Sequence, residues 1–526
     1  TAVRTSQSSP NVGSEFLAQV AVSAVHVFRA DQINSTTREM LHAIARVVLV
    51  ARHGLINKQV YLRTAKRSHD EVSTVEKRYS TKLKGKVTAK ATVKSTAILE
   101  KNNLPVLEFF NGLGGFANNG REYVIRLQNG EHTPAPWINV IANSCFGFHV
   151  SAEGSGYTWS ENSRENQLTA WSNDTVSDPI GEIAYVCDED NGEIYTATAQ
   201  PAQDNGTYLV RHGFGYSRFE HKVSGLSLDL LQYVPLNDSI KISRLTIHNS
   251  SGRTRRLSVT AYVEWVLGTT RSTTSSFITS SLDPETNTIL LHNRWGMAFP
   301  ERVAFVDMAG VQTSWTTNRT EFIGRHGNKT TPNALHEQSS LSGTVGAGYD
   351  QCTALQTHIE LAEGERREII MFIGQGDSEQ HALELVKKYR KRDLSAIFGD
   401  VQNHWQVLLN KVQVKTPDRA MDIMLNGWLL YQTIACRVWA RSSFYQASGA
   451  YGFRDQLQDG MALTLSQPDM TRSHILRAAS RQFVEGDVQH WWLPHSGQGV
   501  RSHISDDRVW LAFATANYIK VTDDKK

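Results

Sequence analysis

Two short stretches of this chain concentrate side chains that do chemistry. The first is Tyr445-Gln446-Ala447-Ser448-Gly449-Ala450-Tyr451-Gly452-Phe453-Arg454-Asp455-Gln456-Leu457-Gln458-Asp459. Glycine lets the backbone approach a ligand closely. Aromatic faces accept the C–H face of a sugar ring, while carboxylate, amide and guanidinium groups bond its hydroxyls in fixed directions. Arg454, Asp455, Gln456 and Asp459 are the binding candidates here. The same residue types also suit a salt bridge, Arg454–Asp455 or Arg454–Asp459, that caps the following helix. Residue type alone does not choose between the two.

The second stretch runs from Phe483 to Arg501 and on to Ser505-Asp506-Asp507, and contains His490-Trp491-Trp492. Paired tryptophans in a polar loop favour a carbohydrate cleft over a core, which makes Trp491, Trp492 and Arg501 candidates. The histidines are too irregularly spaced for zinc, so no metal ligand is assigned. Ser505 as an N-cap, with Asp506 and Asp507 in the first helical turn, explains those residues at least as well as catalysis does. Two such loops on the same side of a helical barrel would converge on one site.

Other chemistries lack their signatures. There is no Ser-His-Asp or Cys-His order and no Gly-x-x-x-x-Gly-Lys loop, which disfavours serine hydrolysis and nucleotide hydrolysis. Cys145, Cys187, Cys352 and Cys436 are scattered without a Cys-x-x-Cys pair and read as buried, reduced thiols. A net charge of +3 is too near neutral to imply a nucleic-acid partner. The positive charge is local, with 12 Lys and Arg against 4 Asp and Glu between Asn57 and Lys101. That stretch reads as a solvated linker rather than a nucleic-acid or membrane arm.

The elements that must position the two stretches follow from periodicity. Residues 15–55 read as helix and, with the basic linker, form a segment over 1–103. Over 104–376 short β-type runs such as Tyr123–Leu127, Ser243–His248 and Leu257–Val266 alternate with turn signals such as Asn191-Gly192 and Ser251-Gly252. Their polar/apolar alternation predicts a large antiparallel sandwich. Linker helices follow over 377–415, at 378–392 and 396–412. From 416 to 526 helices are predicted at 418–439, 471–483 and 506–518, each with a broad apolar stripe. Strands first and helices afterwards mean two domains, not an alternating α/β fold. The length of 526 residues suits this, and no apolar run reaches the roughly 18 residues of a membrane span. Thr1 in place of Met reads as a processed or excised end.

These motifs, in this order, resemble the glycoside phosphorylases of glycoside hydrolase family 94, and more closely the corresponding region of bacterial cyclic β-1,2-glucan synthases. The resemblance rests on Phe109–Phe116, Thr133–Asn143, Gly156-Tyr157-Thr158-Trp159, Asn162–Leu168, Arg211–Glu220 and the two stretches above. It implies a β-sandwich (supersandwich), linker helices and the first part of an (α/α)6 barrel. It further implies inverting phosphorolysis of linear β-1,2-glucan, with inorganic phosphate as co-substrate and no cofactor. Asp455 or Asp459 would accept bonds from the glucose to be released, and Arg454 would bind it or orient the loop. Arg271, in Leu267-Gly268-Thr269-Thr270-Arg271, resembles a residue of a loop that reaches the active site; a solvated arginine is the bland alternative. Implied partners are the glucan, the rest of a synthase polypeptide and a second copy of the chain, on the cytoplasmic side of a bacterial inner membrane.

A phosphorylase needs one enzymic carboxyl, a general acid for the leaving oxygen, because phosphate is the nucleophile. In the family that acid lies in an Asp-Trp-Asn-Asp motif, which this sequence lacks. No catalytic residue is therefore assigned, and the acid is expected beyond Lys526. A barrel of twelve helices needs some 300 residues at ordinary helix lengths, and only about 110 follow Thr416. The alternatives are a non-catalytic carbohydrate-binding or structural module, or a fragment of a free-standing β-1,2-oligoglucan phosphorylase.

Overall fold

The computed structural model describes residues 105–336, 340–443 and 447–525, together with Thr36. Residues 1–97 and 98–526 are separate units, and the described fold is that of the second. The helix expected over 15–55 and the basic linker lie outside the described residues, Thr36 excepted.

Two antiparallel sheets form the first part. One runs, edge to edge, through Gly114–Ala117, Glu122–Gln128, Thr207–Gly213, Tyr216–Val223, Leu226–Tyr233, Ile240–Asn249, Arg366–Gly376, Val303–Asp307, Ile289–His292 and Thr279–Leu282. The other is centred on Arg255–Gly268, which pairs with both Gln351–Leu361 and Glu182–Asp188. Strand period explains their burial. In Arg255–Gly268 the odd positions Leu257, Val259, Ala261, Val263, Trp265 and Leu267 enter the core between the sheets. Tyr262 on the opposite face packs with Tyr185, Phe322 and Ile323. Because the strand is covered on both faces, the polar alternate positions Ser258, Thr260 and Glu264 are buried along with the apolar ones.

The larger sheet is also covered on its second face. Ile240, Ile242, Val303, Phe305 and Phe372 are out of phase with Leu245, Ile247, Ala304 and Ile373, and they meet helices instead of the opposing sheet. Helix α1, Glu379–Lys391, is capped by Ser378, whose side chain accepts the His381 N–H. Helix α2, Leu394–Leu409, is capped likewise by Asp393. Both bury an apolar stripe on the sheet. They start and stop within three residues of the predicted spans.

Helix α3 covers 419–440 and departs from a regular helix. Its α turns at Arg419–Ile423 and Leu429–Gln432 alternate with π turns at Met424–Trp428 and Thr433–Ala440. Helices α4 (Phe453–Leu463), α5 (Pro468–Ala479) and α6 (Asp507–Thr522) complete the described fold. Between them a small sheet pairs Tyr451–Gly452 with Val488–Trp492, and Val488–Trp492 with Gly499–Ser502. Both expected loops therefore contain regular structure, because backbone pairing between them satisfies groups that neither could satisfy alone. Among the described residues no helix is long and apolar enough to cross a membrane. Cys187 and Cys352 are buried as expected, whereas Cys145 and Cys436 are only partly so.

One ion pair fixes α1 to the sandwich. Arg390 donates through Nε to Asp307 Oδ2 at 3.0 Å and through Nη2 to the Thr286 carbonyl at 2.7 Å, and the Asp307 side chain has no solvent exposure. Removing one partner leaves a buried charge uncompensated. Arg390→Ala is expected to lose about 3–5 kcal/mol in urea denaturation. Pairing it with Asp307→Asn should recover much of that loss. A single variant within 1 kcal/mol of the parent, roughly the scatter of surface substitutions, would show that the pair does not hold α1 in place.

Candidate functional site

The site starts where α3 stops. Arg441 ends the last π turn in the left-handed region, with φ +49°. Its guanidinium lies back under the loop, and the residue as a whole is 7% exposed. It donates to the carbonyls of Gly449 (3.0 Å), Trp439 (3.0 Å) and Glu161 (3.3 Å) and to the Tyr451 hydroxyl (3.2 Å). It also sits 4.7 Å over the Tyr451 ring. Burial lowers its pKa from the ordinary arginine value. Glu161 belongs to the sandwich, so one buried cation ties both parts of the fold to the loop.

Asn162 completes the tie. Its Nδ2 donates to the Gly449 carbonyl at 2.9 Å, and its Oδ1 accepts the N–H groups of Arg164 and Glu165, each at 3.0 Å. A single side chain thus sets the sandwich turn carrying Arg164 and Glu165 against the loop that leads into α4. Only glycine fits at 449: φ is +60°, and a Cβ there would lie 1.9 Å from Asn162 Oδ1.

The small sheet then brings the two sequence stretches together. Gly452 is paired with Trp491 and Tyr451 with Trp492. Arg454 and Asp455 follow in the first turn of α4, not in a loop as expected. The result is a cleft of about 390 Å³ whose lining includes Arg164, Glu165, Arg437, Arg454, Asp455, Gln456, His490 and Trp491. Aromatic, amide, carboxylate and guanidinium groups share one cavity there, the set that recognises a polyhydroxylated ring.

The expected residues divide by position. Arg454 Nη1 donates to Asp506 Oδ2 at 2.8 Å and lies 3.8 Å from Asp455, so the cation is paired and still lines the cleft. Asp506 is held below the usual carboxylate range by its bond from Arg454. It occupies the N-cap position expected for Ser505, without a side-chain cap bond. The Asp455 side chain is 58% exposed. Gln456 accepts the Gly452 N–H, which fixes the entry to α4. Trp491 is 38% exposed and Trp492 fully buried. The pair therefore does not act together: Trp492 alternates to the other side of its strand and packs with Tyr451, Phe453 and Leu457.

Asp459, Arg501 and Arg271 do not line the cleft. Asp459 lies one turn beyond Asp455 on α4 and pairs with Arg437 at 3.0 Å. Burial raises its pKa against the opposing pull of Arg437. The expected Arg454–Asp459 bridge is replaced by this one. Arg501 is bound to Asp487 and Glu485, and its guanidinium lies 4.2 Å over the Phe483 ring. Arg271 starts a short helix, Arg271–Thr274, and donates to the carbonyls of Trp265 (3.0 Å) and Gln351 (2.9 Å) and to Asp350. There it helps neutralise buried Glu264, which also binds Arg319 and Lys329, each at 2.8 Å. Arg271 serves the sandwich, because the buried carboxylate needs cations around it.

Four ionisable lining residues were not among the expected site residues: Arg164, Glu165, Arg437 and His490. His490 Nδ1 lies 2.8 Å from Asp507 Oδ2, and the Asp507 side chain is wholly buried. The adjacent Arg-Glu within a recognisable motif was the available signal for the sandwich pair. Nothing local marks Arg437, which reads as an ordinary helical surface residue. Tyr445 and Gln446 lie outside the described residues. Among the described residues no group of three or more His, Cys, Asp or Glu gathers to hold a metal.

In comparison with known proteins, residues 121–392 match the glycosyl hydrolase 94 supersandwich domain, and residues 404–526 match the catalytic domain of the glycosyl hydrolase 94 superfamily. The cyclic beta-(1,2)-glucan synthase NdvB of Rhizobium meliloti is 41% identical over 503 residues, covering 95% of this chain and 18% of that protein. The N,N'-diacetylchitobiose phosphorylase of Vibrio furnissii is 27% identical, covering 78% of this chain and 55% of that protein. For the solabiose phosphorylase of Paenibacillus borealis the figures are 26%, 78% and 53%. The chain thus spans under a fifth of the synthase and about half of each phosphorylase.

The loop and the buried carboxylate each carry a measurable consequence. Gly449→Ala should destabilise the protein by at least about 1–3 kcal/mol, the usual range for overpacking, and the melting temperature will read it. An unchanged melting temperature would mean that Asn162 does not seat the loop. Separately, burial opposes and the Lys329 and Arg271 charges lower the Glu264 pKa, to about 2 from 4.5. A depressed folded-state pKa contributes stability that is complete above pH 4.5 and is lost as pH falls toward 2. Acid titration of unfolding should show this loss, on the order of 3 kcal/mol, and Glu264→Gln should remove it from the profile.

Proposed function

This chain belongs to glycoside hydrolase family 94, and on that premise we propose that it is the phosphorylase-like module of a cyclic β-1,2-glucan synthase, binding linear β-1,2-glucan in the cleft between the sandwich turn and α4. In the whole protein this module would phosphorolyse the glucan to glucose 1-phosphate and so control chain length. The observation that carries the proposal is the convergence of Arg454, Asp455, Gln456 and Trp491 with Arg164 and Glu165 in one cavity. Asp455 accepts from the hydroxyls of the terminal glucose. Trp491 offers an aromatic face to the ring. Arg454, aligned by Asp506, donates from the same side.

Phosphorolysis with inversion needs a phosphate oxygen to form a bond at the anomeric carbon while a general acid protonates the departing glycosidic oxygen. The carboxyls beside the cleft suit binding better than this step. Asp506 is held ionised by Arg454, which makes it a poor proton donor. Asp507 is buried against His490. In this reading the 526-residue chain binds glucan without turning it over. The acid comes from the rest of the synthase polypeptide, its partner at the cytoplasmic face of the bacterial inner membrane. A homodimer is compatible with the proposal and plays no part in it.

Calorimetry with a linear β-1,2-oligoglucan should show binding by this chain, and Arg454→Ala should weaken the binding in this cleft at least tenfold. Incubation with the same glucan and inorganic phosphate should release no glucose 1-phosphate. Its release would overturn the division of labour, and unchanged binding by Arg454→Ala would overturn the assignment of the cleft.

A further inference from the structure

A second cavity, of about 260 Å³, lies between the Asn118–Gly120 turn, α2 and the start of α3. It shares no lining residue with the cleft. One wall is a ladder of amides. Gln402, Gln406 and Asn410 recur every four residues along α2 and its C-cap, and therefore share a face. Asn118 and Asn119 also line the cavity, both in the left-handed region at φ +50° and +56°. The side-chain amides of Gln402, Gln406, Asn410 and Asn118 belong to exposed residues and make no hydrogen bond with other described residues.

The floor is aromatic. Phe214, Tyr216 and Trp405 line it, and Phe214 is fixed by rings of Trp428 (4.8 Å) and Tyr431 (5.1 Å). Gly427 permits that position, since a Cβ there would lie 2.7 Å from the Phe214 ring. Four of the other polar side chains are already engaged. Arg419 holds Glu108 at 2.8 Å and Asn119 at 2.7 Å, and Asp422 accepts the Thr416 N–H at 2.7 Å. Gln413 donates to the Leu409 carbonyl, and Asn426 closes a two-bond ring with the Val414 backbone. Arg121 adds further N–H donors at the edge.

An anion would require unpaired cations on several sides, and an apolar ligand would strand the amides. Each free amide instead offers two donors and an acceptor without charge, the complement of a hydroxyl that both donates and accepts. Aromatic rings below accept the C–H face of a ring. We infer that this cavity is a second saccharide site, which holds the end of a neutral oligosaccharide against Phe214 while the α2 amides bond its hydroxyls. The inference stands on this cavity's own residues and survives if the cleft binds something else.

The test uses the full chain and a β-1,2-linked glucotetraose. Calorimetry should show two sites in the parent protein and one in the Gln402→Ala/Gln406→Ala/Asn410→Ala variant. Arg454→Ala should also retain one, the complementary site. Trp405 sits in the cavity floor, so sugar-dependent tryptophan fluorescence that survives in Arg454→Ala should fall at least tenfold in sensitivity in the triple variant. Asn118→Gly keeps the left-handed turn and removes an amide, so it should weaken the same site several-fold with an unchanged melting temperature. Unaltered stoichiometry and fluorescence in the triple variant would overturn the inference. So would inorganic phosphate that binds the parent, competes with the sugar there and is lost from the triple variant, since that assigns the cavity to an anion.

Discussion

A buried guanidinium that has no carboxylate partner among the described residues organises this structure. Arg441 is surrounded by main-chain carbonyls and an aromatic ring, and those carbonyls come from both the sandwich and the helical part. Burying an ion is costly unless every donor is met. Here the donors are met only when Glu161, Trp439, Gly449 and Tyr451 all stand in place, so the cation makes these four positions interdependent. Asn162 acts beside it in the same sense. The cleft exists because these two side chains set the loop before α4 against the sandwich turn.

The second constraint is the supersandwich itself. Its larger sheet is buried on both faces, by the opposing sheet on one and by α1 and α2 on the other. Such a sheet is a rigid base. It places the sandwich turn, the end of α3 and the small sheet in a fixed relation, which a site built from loops alone would lack. Arginine recurs at the joints: Arg390 on Asp307, Arg271 beside Glu264, Arg441 on carbonyls. Its planar fork satisfies several acceptors at once, which suits buried junctions better than lysine does.

Charge in and around the cleft is mostly compensated in place. Arg454 is engaged by Asp506, His490 by Asp507 and Arg437 by Asp459. Asp455 and Trp491 retain exposed surface. Side chains held by such partners keep their direction when a ligand arrives, so binding costs less ordering. Under the proposed function, a cleft arranged in this way orients a neutral ring and leaves proton transfer to another group.

Much was legible in the sequence because it is local. Alternation along Leu257–Val266 specified a strand, and the apolar patterns over 378–392 and 396–412 specified the two linker helices, whose caps Ser378 and Asp393 only the structure identified. The motif around Phe453-Arg454-Asp455 marked the candidate site because close backbone approach demands glycine and sugar recognition would demand that set of side chains. The choice among uses of each residue was not local. Trp491 and Trp492 are chemically identical neighbours, and only the pairing of their strand with Tyr451–Gly452 sends one to the cleft and the other to the core. Arg437 pairs with Asp459, 22 residues away, and Glu165 reaches the cleft from the sandwich. The sequence by itself determined which segments are strands and helices and which residue types could hold a sugar. The tertiary structure decided which of those residues face one another, because side-chain direction depends on strand pairing and burial between segments that local patterns do not connect.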